Sequence, residues 1–176
     1  MKKILSILLI AVLLVTAVPL GAFNLTASAA TSGRTGDCTW TLNGTVLTIS
    51  GNGAMGDYDL YPLPWGFGIT KVIIGDSVTT IDYEAFFGCK NLKSVTIGNN
   101  VTIIEGYAFY NCGALTTVTL PKDIATIYGD AFSGCISLSK VYFGGDIGDW
   151  LEISFENEGS NPLRTAHDLY INNELV

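Results

Sequence analysis

Beyond residue 69, apolar side chains recur with a 23-residue period, and that step permits little other than a stack of similar coils. Leu92, Leu115 and Leu138 keep one row, with Ile69 one period earlier. Val72, Val95, Val118 and Val141 keep a second, and Ile74, Ile97, Leu120 and Phe143 a third. Val78, Val101, Ile124 and Ile147 form another, followed by Ile81, Ile104, Ile127 and Trp150. Ala85, Ala108 and Ala131 continue the pattern, as do Phe86, Phe109, Phe132 and Phe155. Cys89, Cys112 and Cys135 close each unit. One unit cannot cover its own apolar side, whereas stacked units bury every row in one continuous core.

The local pattern within a unit follows from residue type. In Leu92–Ile97, Val95 and Ile97 are two apart, with Ser94 and Thr96 between and beside them. That alternation is strand spacing, and β-branched side chains suit it. A turn residue follows each run: Gly75, Gly98, Pro121 and Gly144. A second extended run carries Val101 and Ile104. The compact segment from Gly106 to Cys112 has room for one helical turn.

The unit Leu-x-x-Val-x-Ile-x-x-x-Val-x-x-Ile-x-x-x-Ala-Phe-x-x-Cys-x-x resembles the BspA-like class of leucine-rich repeat. The stretch before it resembles the N-terminal cap common in such proteins: Gly36 to Gly44, Leu47 to Met55, then Pro64 and Trp65. The resemblance covers roughly residues 33–176 and implies a leucine-rich repeat solenoid with parallel β-strands and short helical turns. It also implies an exported surface protein concerned with adhesion and partner binding. Fold alone does not fix function.

The expected organisation is a signal peptide over 1–29, a linker over 30–35 and a β cap over 36–68. Repeats follow at 69–91, 92–114 and 115–137, then an irregular unit at 138–167 and the start of a further unit at 168–176. Asn43-Gly44 reads as a hairpin turn between Thr39–Leu42 and Thr45–Ser50. Trp40, Met55, Tyr58 and Trp65 are bulky enough to cover the first coil. Near the other end, Val141 to Leu169 is a 28-residue step, five beyond the period, and Glu156–Arg164 is the expected surface loop. Asn172-Asn173 predicts another hairpin, and the run-out at Val176 suggests a fragment of a longer protein.

Lys2 and Lys3, an apolar run from Ile4 to Leu20 and the small-residue site Ala27-Ser28-Ala29 together predict export, with the mature chain starting at Ala30. No second long apolar run follows, so no membrane span is expected after signal removal. Bacterial secretion or display at the cell surface follows from this reading. The net charge of −7 becomes −9 once the two lysines are removed, which argues against nucleic acid or anionic lipid as partner.

Catalytic and metal chemistry find little support. His167 is the sole histidine, with no nucleophile motif near it, so no enzyme is expected. There is no Cys-x-x-Cys pair for zinc and no dense acidic loop for calcium, so neither a metal nor a cofactor is expected. The repeated cysteines would stack about 4.8 Å apart; their parallel side chains suit a disulfide poorly, and buried free thiols are expected.

The outward strand positions are the candidate ligand surface. Lys71, Ser94, Thr117 and Lys140 make one row, and Ile73, Thr96, Thr119 and Tyr142 the next. Together they would tile a parallel sheet of the type solenoids use for binding a protein or cell-surface ligand. A second aromatic group, Tyr83, Phe87, Tyr107, Tyr110 and Tyr128, either forms a sticky patch or packs between coils. An alternative role is a structural spacer for a longer extracellular protein with its working domain beyond residue 176.

Overall fold

The computed structural model describes residues 31–58 and 63–176. The signal peptide expected over 1–29 lies outside the described residues.

Each repeat contributes one strand to each of two sheets. Along the chain, β5 (Lys71–Ile74), β7 (Ser94–Thr96), β9 (Thr117–Leu120), β11 (Lys140–Phe143) and β13 (Asp168–Ile171) lie side by side and parallel. They form most of a nine-stranded sheet. Strands β6 (Val78–Ile81), β8 (Ile103–Ile104), β10 (Thr126–Ile127) and β12 (Ser154–Phe155) run parallel in a second sheet. The core fills the space between: Val72, Val95, Val118 and Val141 point inward from the first sheet, Ile81, Ile104 and Ile127 from the second, and all are buried. The molecule is therefore a β-solenoid of about four stacked turns.

The segment ahead of the repeats joins both sheets. Strands β1 (Ser32–Thr35), β2 (Cys38–Asn43) and β3 (Val46–Gly51) form an antiparallel meander, and β3 then pairs parallel with β5. The short β4 (Gly53–Ala54) pairs parallel with β6. Residues 32–35, expected as linker, are thus an added edge strand. The β2–β3 hairpin loop is Gly44-Thr45, one position later than expected, with Gly44 at φ 61. Glycine takes that left-handed conformation without steric cost.

The phenylalanine row is a stacked column. Phe86 and Phe109 have centroids 5.1 Å apart and Phe109 and Phe132 5.3 Å, with near-parallel planes. Trp65 closes the column at one end, 5.5 Å from Phe86, and is itself flanked by Trp40 and Tyr58. The compact segments are hydrogen-bonded turns in place of the expected helical turn. Glu84, Tyr107 and Asp130 occupy the same place in successive units and all have φ near +55°. A residue held there interrupts the right-handed path that a helix needs.

The last coil corrects the expected phase. Ile127 pairs with Phe155 and Thr126 with Ser154, a step of 155 − 127 = 28 in place of 23. The added length therefore enters before β12, where α1 (Ile147–Leu151) forms. It is the one α-helix among the described residues. Asp146 caps it: its side chain accepts from the Asp149 amide while Asp149 accepts from the Asp146 amide, a reciprocal capping box. Ile147 is consequently about half exposed and leaves the apolar row assigned to it. Phe155 is only partly buried, packing against Trp150 at 5.7 Å. Counting 28 from Phe132 gives Ser160, which is fully buried in its place. The Phe132 amide donates to Gly159 O as the Phe109 amide donates to Ala131 O, so the coil continues through this segment. Glu156–Arg164 is thus part of the wall, wound into 3-10 turns at Glu158–Ser160 and Pro162–Arg164. Glu156, Asn157, Glu158 and Arg164 stay exposed at the surface, while the Gly159 carbonyl accepts from the Phe132 amide of the preceding coil.

Candidate sheet-face binding surface

The register sets the outward rows side by side. Lys71, Ser94, Thr117, Lys140 and Asp168 are successive partners, as are Ile73, Thr96, Thr119, Tyr142 and Tyr170. All eight residues expected on this face are brought together there. Lys71 and Thr96 are exposed, and Ile73, Ser94, Thr117, Thr119, Lys140 and Tyr142 are partly exposed. The surface spans four inter-strand steps of about 4.8 Å from β5 to β13, or roughly 19 Å.

Two residues that sequence reasoning left out extend it. Asp168 and Tyr170 belong to the delayed strand, beyond the reach of the 23-residue step. The signal was available in Asp168-Leu-Tyr-Ile171, whose alternation matches Lys140–Phe143. Tyr170 stacks on Tyr142 with centroids 4.8 Å apart and planes 21° from parallel. Lys140 Nζ sits 5.7 Å from the Tyr170 centroid, within the range of a cation–π contact. Above this pair the strand ends shape a cleft of about 220 Å³, lined by Thr119, Tyr142, Phe143, Gly144, Tyr170, Asn172 and Asn173. Asn172 and Asn173 form the β13–β14 hairpin turn with φ 52 and 64, and β14 (Glu174–Leu175) returns antiparallel. Asparagine tolerates that left-handed pair better than other non-glycine residues.

The other aromatic group is largely used in packing. Tyr83 and Tyr107 meet edge to face at 5.7 Å, Phe87 and Tyr110 stack at 5.2 Å, and Tyr107 meets Tyr110 at 5.3 Å. Beside them lies a cleft of about 380 Å³ that includes Glu105, Asp130 and Glu156. Burial, then the nearby carboxylates of Asp82, Asp57 and Glu156, raises the Glu105 pKa. Glu156 is already engaged, accepting from the Gly129 amide at 2.6 Å.

Cys38, Cys89, Cys112 and Cys135 are buried free thiols. Cys112 Sγ donates to Phe86 O and Cys135 Sγ to Phe109 O, each at 3.2 Å, tying one coil to the next. Burial pushes the Cys89 and Cys135 thiols up to about 12 and raises Cys112 well above its ordinary value. Such thiols are packing groups, since the nucleophile would be the thiolate. His167 is exposed, and among the described residues no group of three or more His, Cys, Asp or Glu is arranged to hold a metal ion. No helix among them is long and apolar enough to cross a membrane.

Comparison with known proteins agrees with this architecture. The family model described as BspA type leucine rich repeat region matches residues 65–169 in six copies. A leucine-rich repeat protein from Eubacterium ventriosum is similar in structure, with TM-score 0.53 and 20% identity over 82% of this chain and 45% of that one. The chain thus spans under half the length of that relative. The T. pallidum leucine rich repeat protein gives TM-score 0.48 and 20% identity over 72% of this chain and 65% of that one. A leucine-rich repeat protein from Bacteroides ovatus gives 0.40 and 21% over 77% and 35%. No curated protein matches the chain.

Proposed function

Because the chain belongs to the BspA-type leucine-rich repeat family, we propose that it is an exported, non-catalytic binding module whose long sheet face engages a protein or cell-surface ligand in adhesion. The observation that supports this most is the unbroken outward register from Lys71 to Asp168 and from Ile73 to Tyr170. A rigid parallel sheet holds ten side chains in fixed order there, at little ordering cost on binding. The hydroxyl-rich centre, Ser94, Thr96, Thr117 and Thr119, supplies donors and acceptors without net charge. Export rests on the basic and apolar N-terminus and its small-residue site, with cleavage after Ala29. The mature acidic chain would then act outside the cell.

The test is saturable binding of fluorescently labelled protein to intact epithelial cells and to bacterial cell-wall preparations. The double variant Thr96→Lys, Thr117→Lys leaves the core intact and crowds the middle of the face. It is expected to weaken binding about tenfold or more with the thermal melt unchanged. Undiminished binding by the folded variant would overturn the sheet-face reading.

A further inference from the structure

The cleft at the last coil differs in chemistry from the rest of the surface. The protein carries a formal charge of −7, yet none of the seven side chains lining this cleft is charged. Its wall is the Tyr142–Tyr170 pair, partly exposed and stacked at 4.8 Å. Its rim is Asn172 and Asn173, both exposed. Among the described residues neither asparagine amide makes a side-chain hydrogen bond, and neither tyrosine hydroxyl does. The site therefore offers aromatic surface, unengaged amides and hydroxyls, and no charged side chain in its lining, the Lys140 ammonium lying outside it, 5.7 Å from the Tyr170 centroid.

We propose that this cleft is a subsite for one neutral sugar ring of a glycan chain. The inference deepens the sheet-face reading and rests on it. The face of a pyranose ring presents C–H bonds made slightly positive by the attached oxygens, and an aromatic π-system is negative on its face. The ring's hydroxyls both donate and accept, as do an asparagine amide and a threonine or tyrosine hydroxyl. The volume of about 220 Å³ lies below the roughly 300–1,000 Å³ of sites for drug-sized molecules. It suits a single ring, with the rest of the chain leaving across the surface. Thr119 lines the cleft, and Thr117 and Thr96 continue the hydroxyl surface on β9 and β7. Further sugar units would find hydroxyl partners along that path. A proline-rich segment could rest on the tyrosines and accept from the asparagine N–H groups, but its prolines carry no N–H, so the amide oxygens would lose water without a donor in return, at a cost of about 1–3 kcal/mol for each unsatisfied group.

Titration calorimetry on the full chain tests this with cellohexaose, xylohexaose, mannohexaose, maltohexaose and N-acetylchitohexaose as probes. At least one is expected to bind. Tyr142→Ala should weaken that binding about tenfold or more, while Lys90→Ala, on a turn remote from the sheet face, should leave it unchanged. Asn173→Gly serves as a second variant, because glycine keeps the left-handed turn and removes only the amide; it too should weaken binding. If none of the five sugars bound the wild-type chain, or if binding survived both Tyr142→Ala and Asn173→Gly, the subsite would be refuted. Binding of a proline-rich peptide in place of every sugar, lost in the same variants, would reassign the cleft and equally refute it. Cell-surface binding that persisted without sugar binding would remove the glycan subsite alone, whereas cell-surface binding indifferent to the Thr96→Lys, Thr117→Lys change would remove the sheet face itself.

Discussion

Phe109→Ala removes the middle ring of the three-membered phenylalanine column. The side chain is fully buried, with Phe86 at 5.1 Å and Phe132 at 5.3 Å on its two faces. Emptying a buried aromatic site costs about 3–5 kcal/mol, combining lost transfer energy with the cavity left behind. The upper part of that range applies, because two stacked pairs are lost together and rigid strands on both sides limit collapse. The informative comparison is Phe155→Ala. By the 23-residue step, Phe155 would be the fourth ring of the column and equally costly. In the structure Ser160 stands at that place and Phe155 is only partly buried against Trp150. Its loss should cost about 1–2 kcal/mol, in proportion to the smaller area removed from water. Urea melts followed by far-ultraviolet circular dichroism give both values, with the midpoint read at constant m. Equal costs for the two variants, or a Phe109→Ala cost below about 1 kcal/mol, would refute the stacking and the phase of the last coil.

Gly98→Ala should lower stability by about 1–3 kcal/mol, since its Cβ would collide with the Gly75 carbonyl, backbone that cannot yield; Gly113→Ala, whose Cβ meets nothing within 4 Å, should change the melt by about 0.5 kcal/mol at most. Thr96→Ala, on the exposed face, should also stay within about 0.5 kcal/mol; if it proved more destabilising than Phe109→Ala, the inward and outward rows would be inverted. Cys89, Cys112 and Cys135 should resist alkylation in the folded protein and react rapidly once it is unfolded, without reductant; a requirement for reductant would refute their free state. Their raised folded pKa means that the unfolded chain loses thiol protons first as pH rises past the ordinary value of 9.0, so stability should fall between about pH 9 and 12 by up to about 1.4 kcal/mol per thiol per pH unit; replacing the three cysteines by alanine should flatten that slope, and an unchanged slope would count against the burial. N-terminal sequencing of secreted material should begin at Ala30, and a retained Met1 would exclude cleavage.

The 23-residue rows determined the solenoid, the inward set from Val72 to Val141 and the outward set from Lys71 to Tyr142, because a period-two strand fixes which face each residue takes. That logic holds while successive units have equal length. It fails at the last coil, where Ile147 and Phe155 continue the apolar step in the sequence but not in space. Only tertiary packing could choose between the regular and the lengthened step: the capping box of Asp146 and Asp149 makes the insertion a helix, and Trp150 then fills against Phe143 and Phe155. The same shift brings Tyr170 beside Tyr142 and leaves Ser160 where a phenylalanine was expected. The partnership of β3 with β5 and β4 with β6 was likewise decided in three dimensions, since the segment before residue 69 carries no repeat by which its register with the first coil could be counted. Local pattern sets the face of a strand, but hydrogen bonding and close packing between coils set the phase.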